Sequence, residues 1–212
     1  MNAPLKNALR TGVVLFLFAF IGTALLAYTY RHTHGIIEAS AQAEKLALIN
    51  QVLPQQLYDN DPLAAHRELP ADPLLGTRRP SGMWLATKGG QAAGVVLEAV
   101  APEGYAGDIN LLIGIDANGV VTGVRVTQHK ETPGLGDYIQ LTKSDWILQF
   151  DGKPYDAGQD GRWKVKKDGG DFDARAGATI TPRAIVKAVR QALKYFHAHR
   201  ETLLRPQESK QP

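Results

Sequence analysis

The residue best suited by type and position to form a covalent bond is a threonine hydroxyl just ahead of a long amphipathic segment. It lies in the run Asp173-Ala174-Arg175-Ala176-Gly177-Ala178-Thr179-Ile180-Thr181. The small residues Ala176, Gly177 and Ala178 let a bulky group approach the backbone. Thr179 then stands upstream of a helix N-terminus, where free N–H groups and the helix dipole favour a phosphate. A threonine hydroxyl is a weak nucleophile at neutral pH unless it is activated. A phosphoester at Thr179 therefore requires a dedicated enzyme or a nearby base. The same Gly-Ala-Thr turn is equally what an ordinary helix entry needs, so these residues alone leave both readings open. A second run, Glu131-Thr132-Pro133-Gly134-Leu135-Gly136, has the same double character. Pro133 and Gly134 favour a turn and Gly136 admits a flat ligand against the backbone, yet such a loop also serves as a plain connection.

Other chemistries are excluded or unsupported. The 212 residues contain no cysteine, which removes disulfides, thiolate metal sites, c-type haem attachment, iron–sulfur ligation and cysteine nucleophiles. His32 and His34, like His197 and His199, are two apart and point to different helix faces, so they read as surface residues and no metal site is expected. Asp108, Asp116 and Asp151 read as turn residues, and Trp84, Trp146 and Trp163 as core or interface aromatics. No Ser/His/Asp arrangement suggests a hydrolytic triad, and no catalytic acid or base is expected. The net charge of +3 is spread along the chain apart from Lys164, Lys166 and Lys167, without the basic, aromatic-interleaved stripe that nucleic acid requires.

The elements that position these runs can be read from periodicity. Thr11 to Tyr28 is uncharged. As a helix it rises roughly 27 Å, close to the hydrocarbon thickness of a bilayer, and Tyr28 and Tyr30 supply an interfacial edge. The segment after it lacks a small-x-small cleavage pattern, so it reads as an uncleaved anchor rather than a signal peptide. Lys6 and Arg10 before the span place the N-terminus in the cytoplasm. The expected organisation is a cytoplasmic N-terminus over 1–10, a transmembrane helix over 11–30, a stalk or first helix over 31–57, a folded domain over 58–204 and a disordered tail over 205–212. Ile36 to Leu53 has helical spacing that Pro54 stops, and the proline-rich stretch Asp59 to Gly82 reads as irregular with room for a short strand.

Four strands are predicted: Met83–Thr87, Ala93–Val100, Ile109–Ile115 and Val120–Gln128, the last two joined by the turn Asp116-Ala117-Asn118-Gly119. A helix is predicted from Tyr138 or Leu141 to Phe150, and a further strand over Arg162–Lys166 with Trp163 and Val165 inward. Pro182 to Leu203 is the clearest helix, with Ile185, Val186, Val189, Ala192, Leu193 and Phe196 on one side, Thr181 as N-cap and Pro182 at its first position.

Taken in order, Gly104-Tyr105-Ala106-Gly107, the stretch GDINLLIGIDANGVVTGVRVTQHKETPGLGD and the closing GGDFDARAGATITPRAIVKAV resemble the FMN-binding domain of the G subunit of the Rnf electron-transport complex. The resemblance runs over essentially the whole chain, anchor included. It implies an α+β fold: a single N-terminal transmembrane helix, then an extracytoplasmic FMN-binding domain with a twisted, mainly antiparallel sheet packed by helices. It also implies FMN joined through its phosphate to a threonine of the motif D-x-x-[ST]-G-A-T by a flavin transferase that uses FAD as donor.

Asp173, Gly177, Ala178 and Thr179 match that motif. Thr179 is then the attachment residue and Asp173 the acid the transferase recognises. Thr181, Glu131, Thr132, Gly134, Leu135 and Gly136 would help to enclose the flavin. Ala176 departs from the usual serine or threonine, which bears on flavinylation efficiency. The implied role is electron relay within an inner-membrane, ion-translocating ferredoxin/NAD oxidoreductase, with its domain in the periplasm. The implied partners are the other Rnf subunits, the flavin transferase and the lipid bilayer, with no nucleic acid. Two alternatives are the flavin-bearing C subunit of the sodium-pumping NADH:quinone oxidoreductase and a non-redox anchored binding module.

Overall fold

The structure is a computed structural model that describes residues 3–205; the remainder of the expected tail, 206–212, lies outside the described residues. Helix α1 spans Ala3–Val52. By compactness the chain divides into one unit up to Lys45 and a second from Leu46 onward. In the first unit the large apolar side chains, Leu15, Phe16, Phe18, Phe20, Leu25 and Leu26 among them, are exposed. Among the described residues this is the one helix long and apolar enough to cross a membrane.

The second unit is built on a five-stranded antiparallel meander in chain order. Its strands are β1 (His66–Leu69), β2 (Ser81–Lys88), β3 (Gln91–Gly104), β4 (Gly107–Asp116) and β5 (Val121–Gln128). The period-two alternation of a strand sorts its apolar residues cleanly between two faces. Met83, Leu85, Val95, Leu97, Ile109, Leu111, Ile113 and Ile115 join one core with helix α2 (Ile180–Leu203) and the segments before it. Trp84, Ala86, Val96 and Leu112 point the other way and pack with Ile49, Val52, Leu53 and Tyr58. The sheet is therefore a middle layer, and the Thr122 hydroxyl donates to the Val52 carbonyl at 2.5 Å to fasten the second cover.

The β4–β5 turn forms where Asp116-Ala117-Asn118-Gly119 implies it. Asp116 Oδ1 accepts from the N–H groups of Asn118 and Val120, both at 2.9 Å. The strand in the proline-rich stretch is β1. Three expectations differ. The helix predicted toward Phe150 is two short 3₁₀ segments, Asp137–Ile139 and Asp145–Phe150. Ser144 is extended and its hydroxyl accepts from the Trp146 N–H at 3.1 Å, the local side-chain competition that disfavours a continuous helix. The strand predicted over Arg162–Lys166 is reduced to a single parallel bridge, Val165 to Phe172, although Trp163 and Val165 are buried as their alternation implies. Helix α2 begins at Ile180, so Thr181 is not its N-cap and Pro182 is not its first residue; Thr179 occupies the cap position. Pro182 still falls in the first turn, where its missing N–H forfeits no helical bond.

Candidate functional site

The Asp173–Thr179 segment is irregular, and its shape is imposed by three side chains from the 3₁₀ region before it. The Trp146 indole N–H donates to the Asp173 carbonyl at 2.7 Å and the Asp173 N–H donates to Gln149 Oε1 at 2.8 Å. The Tyr138 phenol accepts from the Arg175 N–H and donates to the Ala178 carbonyl, each at 3.3 Å. Burial pushes the Tyr138 phenol above its ordinary value, partly offset by Arg175, so it remains a neutral donor. The Arg175 guanidinium lies over its ring, 4.8 Å from the centroid, a cation–π contact.

Between those anchors Arg175-Ala176-Gly177-Ala178 makes a tight turn closed by the Ala178 N–H on the Arg175 carbonyl at 3.1 Å. Its third residue, Gly177, has φ +84°, and among the described residues only glycines take positive φ. That combination is a type II turn, which reserves this position for glycine. Ala176 fills the unrestricted second position and is exposed. The missing hydroxyl therefore leaves the turn intact.

Thr179 is half-buried at the head of α2 and its side chain makes no capping hydrogen bond. Asp173 presents its carboxylate outward, in an ion pair with Lys166 at 2.6 Å. Thr181 behaves differently. It is buried, and its hydroxyl donates to Glu131 Oε2 in a short hydrogen bond. Glu131 is itself buried, with Oε1 accepting from the Ala106 N–H at 3.1 Å. One carboxylate thus joins the β3–β4 hairpin, the Glu131–Gly136 loop and the start of α2.

Within that loop the N–H groups of Leu135 and Gly136 donate to the Thr132 carbonyl at 3.1 and 3.0 Å, and the Gly134 N–H donates to Asp137 Oδ1 at 2.8 Å. Thr132, Gly134 and Leu135 are exposed and Gly136 is buried. Tyr105, Leu135 and Ile180, one from each joined segment, are large apolar side chains left exposed. Among the described residues no group of three or more His, Cys, Asp or Glu could hold a metal.

These residues leave a free hydroxyl beside open space and exposed apolar side chains. The Thr179 hydroxyl is uncommitted, and a Cβ added at Gly177 or Gly134 would meet nothing within 4 Å. Tyr105 and Ile180 flank the motifs without being marked as site residues by the sequence, and the same holds for Tyr138, Trp146 and Gln149, which hold the Asp173–Thr179 segment. An exposed large apolar residue beside a glycine turn is a local signal that could mark the first two. The tethers depend on contacts across more than twenty residues and have no local signal.

Residues 104–194 match the FMN-binding domain family, and residues 1–52 match the RnfG N-terminal region. The G subunit of the ion-translocating oxidoreductase complex of Pseudomonas aeruginosa is 49% identical over 208 residues, covering 98% of this chain and 97% of the relative. The chain belongs to the family of G subunits of ion-translocating oxidoreductase complexes. The Vibrio cholerae relative is 46% identical over 194 residues, 92% of each chain, and that of Shewanella oneidensis 43% over 199 residues, 94% of this chain and 92% of that one. The structure of Shewanella oneidensis NqrC is similar with a TM-score of 0.47 at 21% identity, covering 68% of this chain and 74% of that one. Both sequence runs that build the site fall inside the FMN-binding match.

Proposed function

We propose that this chain is a membrane-anchored electron carrier whose FMN is esterified through its phosphate to Thr179. The observation that carries the reading is the uncommitted Thr179 hydroxyl, held at the head of α2 by the Gly177 turn inside the FMN-binding match. Bound there, a flavin supplies one- and two-electron chemistry that no side chain of this chain offers. The protein's part is position and shielding. Tyr138, Trp146 and Gln149 fix the attachment segment, Glu131 and Thr181 hold the ETPGLG loop against α2, and Tyr105, Leu135 and Ile180 offer apolar contact.

Attachment is a displacement at phosphorus. Thr179 Oγ attacks the FMN-side phosphorus of FAD, the diphosphate P–O bond breaks, AMP leaves and the hydroxyl proton passes to a base of the transferase. The outward carboxylate of Asp173 is the feature such an enzyme recognises. The exposed apolar part of α1 anchors the chain in the inner membrane, with Lys6 and Arg10 on the cytoplasmic side and the sheet-bearing unit in the periplasm. Its partners there are the other Rnf subunits, in a complex passing electrons between ferredoxin and NAD with ion movement. Identity of 49% over nearly the full length of the Pseudomonas aeruginosa relative favours this complex over the sodium-pumping quinone reductase.

The test is a denaturing gel of the chain co-expressed with a flavin transferase. Fluorescence that survives denaturation is expected in the wild type and absent in Thr179→Ala. A wild-type band without fluorescence sinks the redox reading, and fluorescence persisting in Thr179→Ala moves the attachment elsewhere.

A further inference from the structure

Thr179 has helical backbone angles, φ −90° and ψ −17°, so its side chain continues the spiral of α2. Thr179, Arg183, Val186 and Arg190 are spaced i, i+4, i+7 and i+11 and share one helix face, whereas Thr181 lies across the helix from them on Glu131. Arg183 stands one turn below the acceptor hydroxyl, a rise of roughly 6 Å, within the reach of an extended arginine.

We propose that Arg183 is the phosphate-binding residue of the acceptor site: its guanidinium, resting on Asp168 in this structure, pairs with the non-bridging oxygens of the phosphodiester at Thr179. The inference rests on the attachment reading above. The resting state is geometrically well formed, with Arg183 Nε and Nη2 on the two Asp168 oxygens, both at 2.6 Å. Its surroundings are also net positive. Asp168 is held below the ordinary carboxylate range first by its bonds to Arg183 and then, at longer range, by Lys167 and Lys164.

A phosphodiester brings one negative charge to that surplus. When Arg183 turns to it, the exposed Asp168 carboxylate passes to water, and the exchange buries no unpaired ion. Neighbouring cations on the same face are engaged elsewhere, Lys187 with Glu103 and Arg190 with Asp160. Arg183 is exposed and borders a cleft of about 360 Å³ lined by Trp163, Val165 and Val186, so no packing locks its side chain in place. Arginine suits the task because its planar fork matches two phosphate oxygens at once.

The experiment follows flavin loading of the full-length chain over time, with co-expressed transferase, and records the ³¹P resonance of the loaded protein. Arg183→Gln is expected to load about tenfold more slowly, the equivalent of one charge-assisted hydrogen bond, and to shift the ³¹P resonance. Arg183→Lys should fall between it and the wild type. Asp168→Asn, which releases the guanidinium, should load at least as fast as the wild type, and Lys187→Gln should match it. Unchanged loading and an unchanged resonance in Arg183→Gln would overturn the proposal while leaving attachment intact. So would an equal loss in Asp168→Asn, which would mark the ion pair as structural. Absence of flavin from the wild type would instead overturn the attachment reading, and this inference with it.

Discussion

Replacing Thr181 with valine removes one hydroxyl and keeps the side-chain shape, which isolates the bond that joins the two sequence runs. The partner is a carboxylate only 4% exposed, with Ala106 N–H its other donor. A hydrogen bond to a charged group contributes about 1.5–3 kcal/mol, and a buried acceptor left without its donor costs a similar amount. Thr181→Val should therefore destabilise the folded unit by about 2 kcal/mol, a fall of roughly 4–8 °C in Tm for a domain of this size. Thr181→Ser, which restores the hydroxyl, should recover most of that loss. The assay is thermal and urea unfolding of the detergent-solubilised chain, followed by tryptophan fluorescence, since Trp84, Trp146 and Trp163 are all buried in this unit. Wild-type stability in Thr181→Val would refute the reasoning. A serine variant as unstable as the valine one would too, because the methyl group rather than the hydroxyl would then be responsible.

Two further outcomes follow from the same geometry. In Gly136→Ala the new Cβ would lie 2.7 Å from Glu131 Oε2 and 3.3 Å from Thr181 Oγ1; because that carboxylate is already engaged, a loss of about 1–3 kcal/mol is expected, measured by the same unfolding curves. Asp168 has a folded-state pKa below its unfolded value because Arg183 bonds its charged form. Its stabilising effect is therefore present above the unfolded carboxylate pKa, about 3.9, and is lost as pH falls through the lower folded value. A carboxyl-carbon NMR titration should place the Asp168 midpoint below that of an unpaired aspartate, and Arg183→Gln should move it up toward the ordinary value; an unmoved midpoint would contradict the assigned cause.

Much of this protein is legible along the chain because its determinants are local. Alternating apolar residues define β2 to β5, and the helical stripe from Ile185 to Phe196 defines α2. Asp116-Ala117-Asn118-Gly119 sets its own turn, and the uncharged run after Arg10 announces a membrane-length helix. Gly177 likewise marks its turn by itself, since only glycine takes that φ without strain. Tertiary structure decided how these pieces meet. Thr181 reads locally as a cap, yet α2 starts before it and its hydroxyl is committed to Glu131, fifty residues away in sequence. Tyr138 and Trp146 read as helix and core residues, yet the folded chain uses their polar ends to hold the Asp173–Thr179 segment. The register that sets Arg183 beneath Thr179 is in the helical spacing, but its resting partner Asp168 is supplied by a separate turn. The physical reason is common to all three. Periodicity and turn chemistry are settled over a few residues, whereas the partner of a buried polar group depends on which distant backbone packing brings within hydrogen-bond reach.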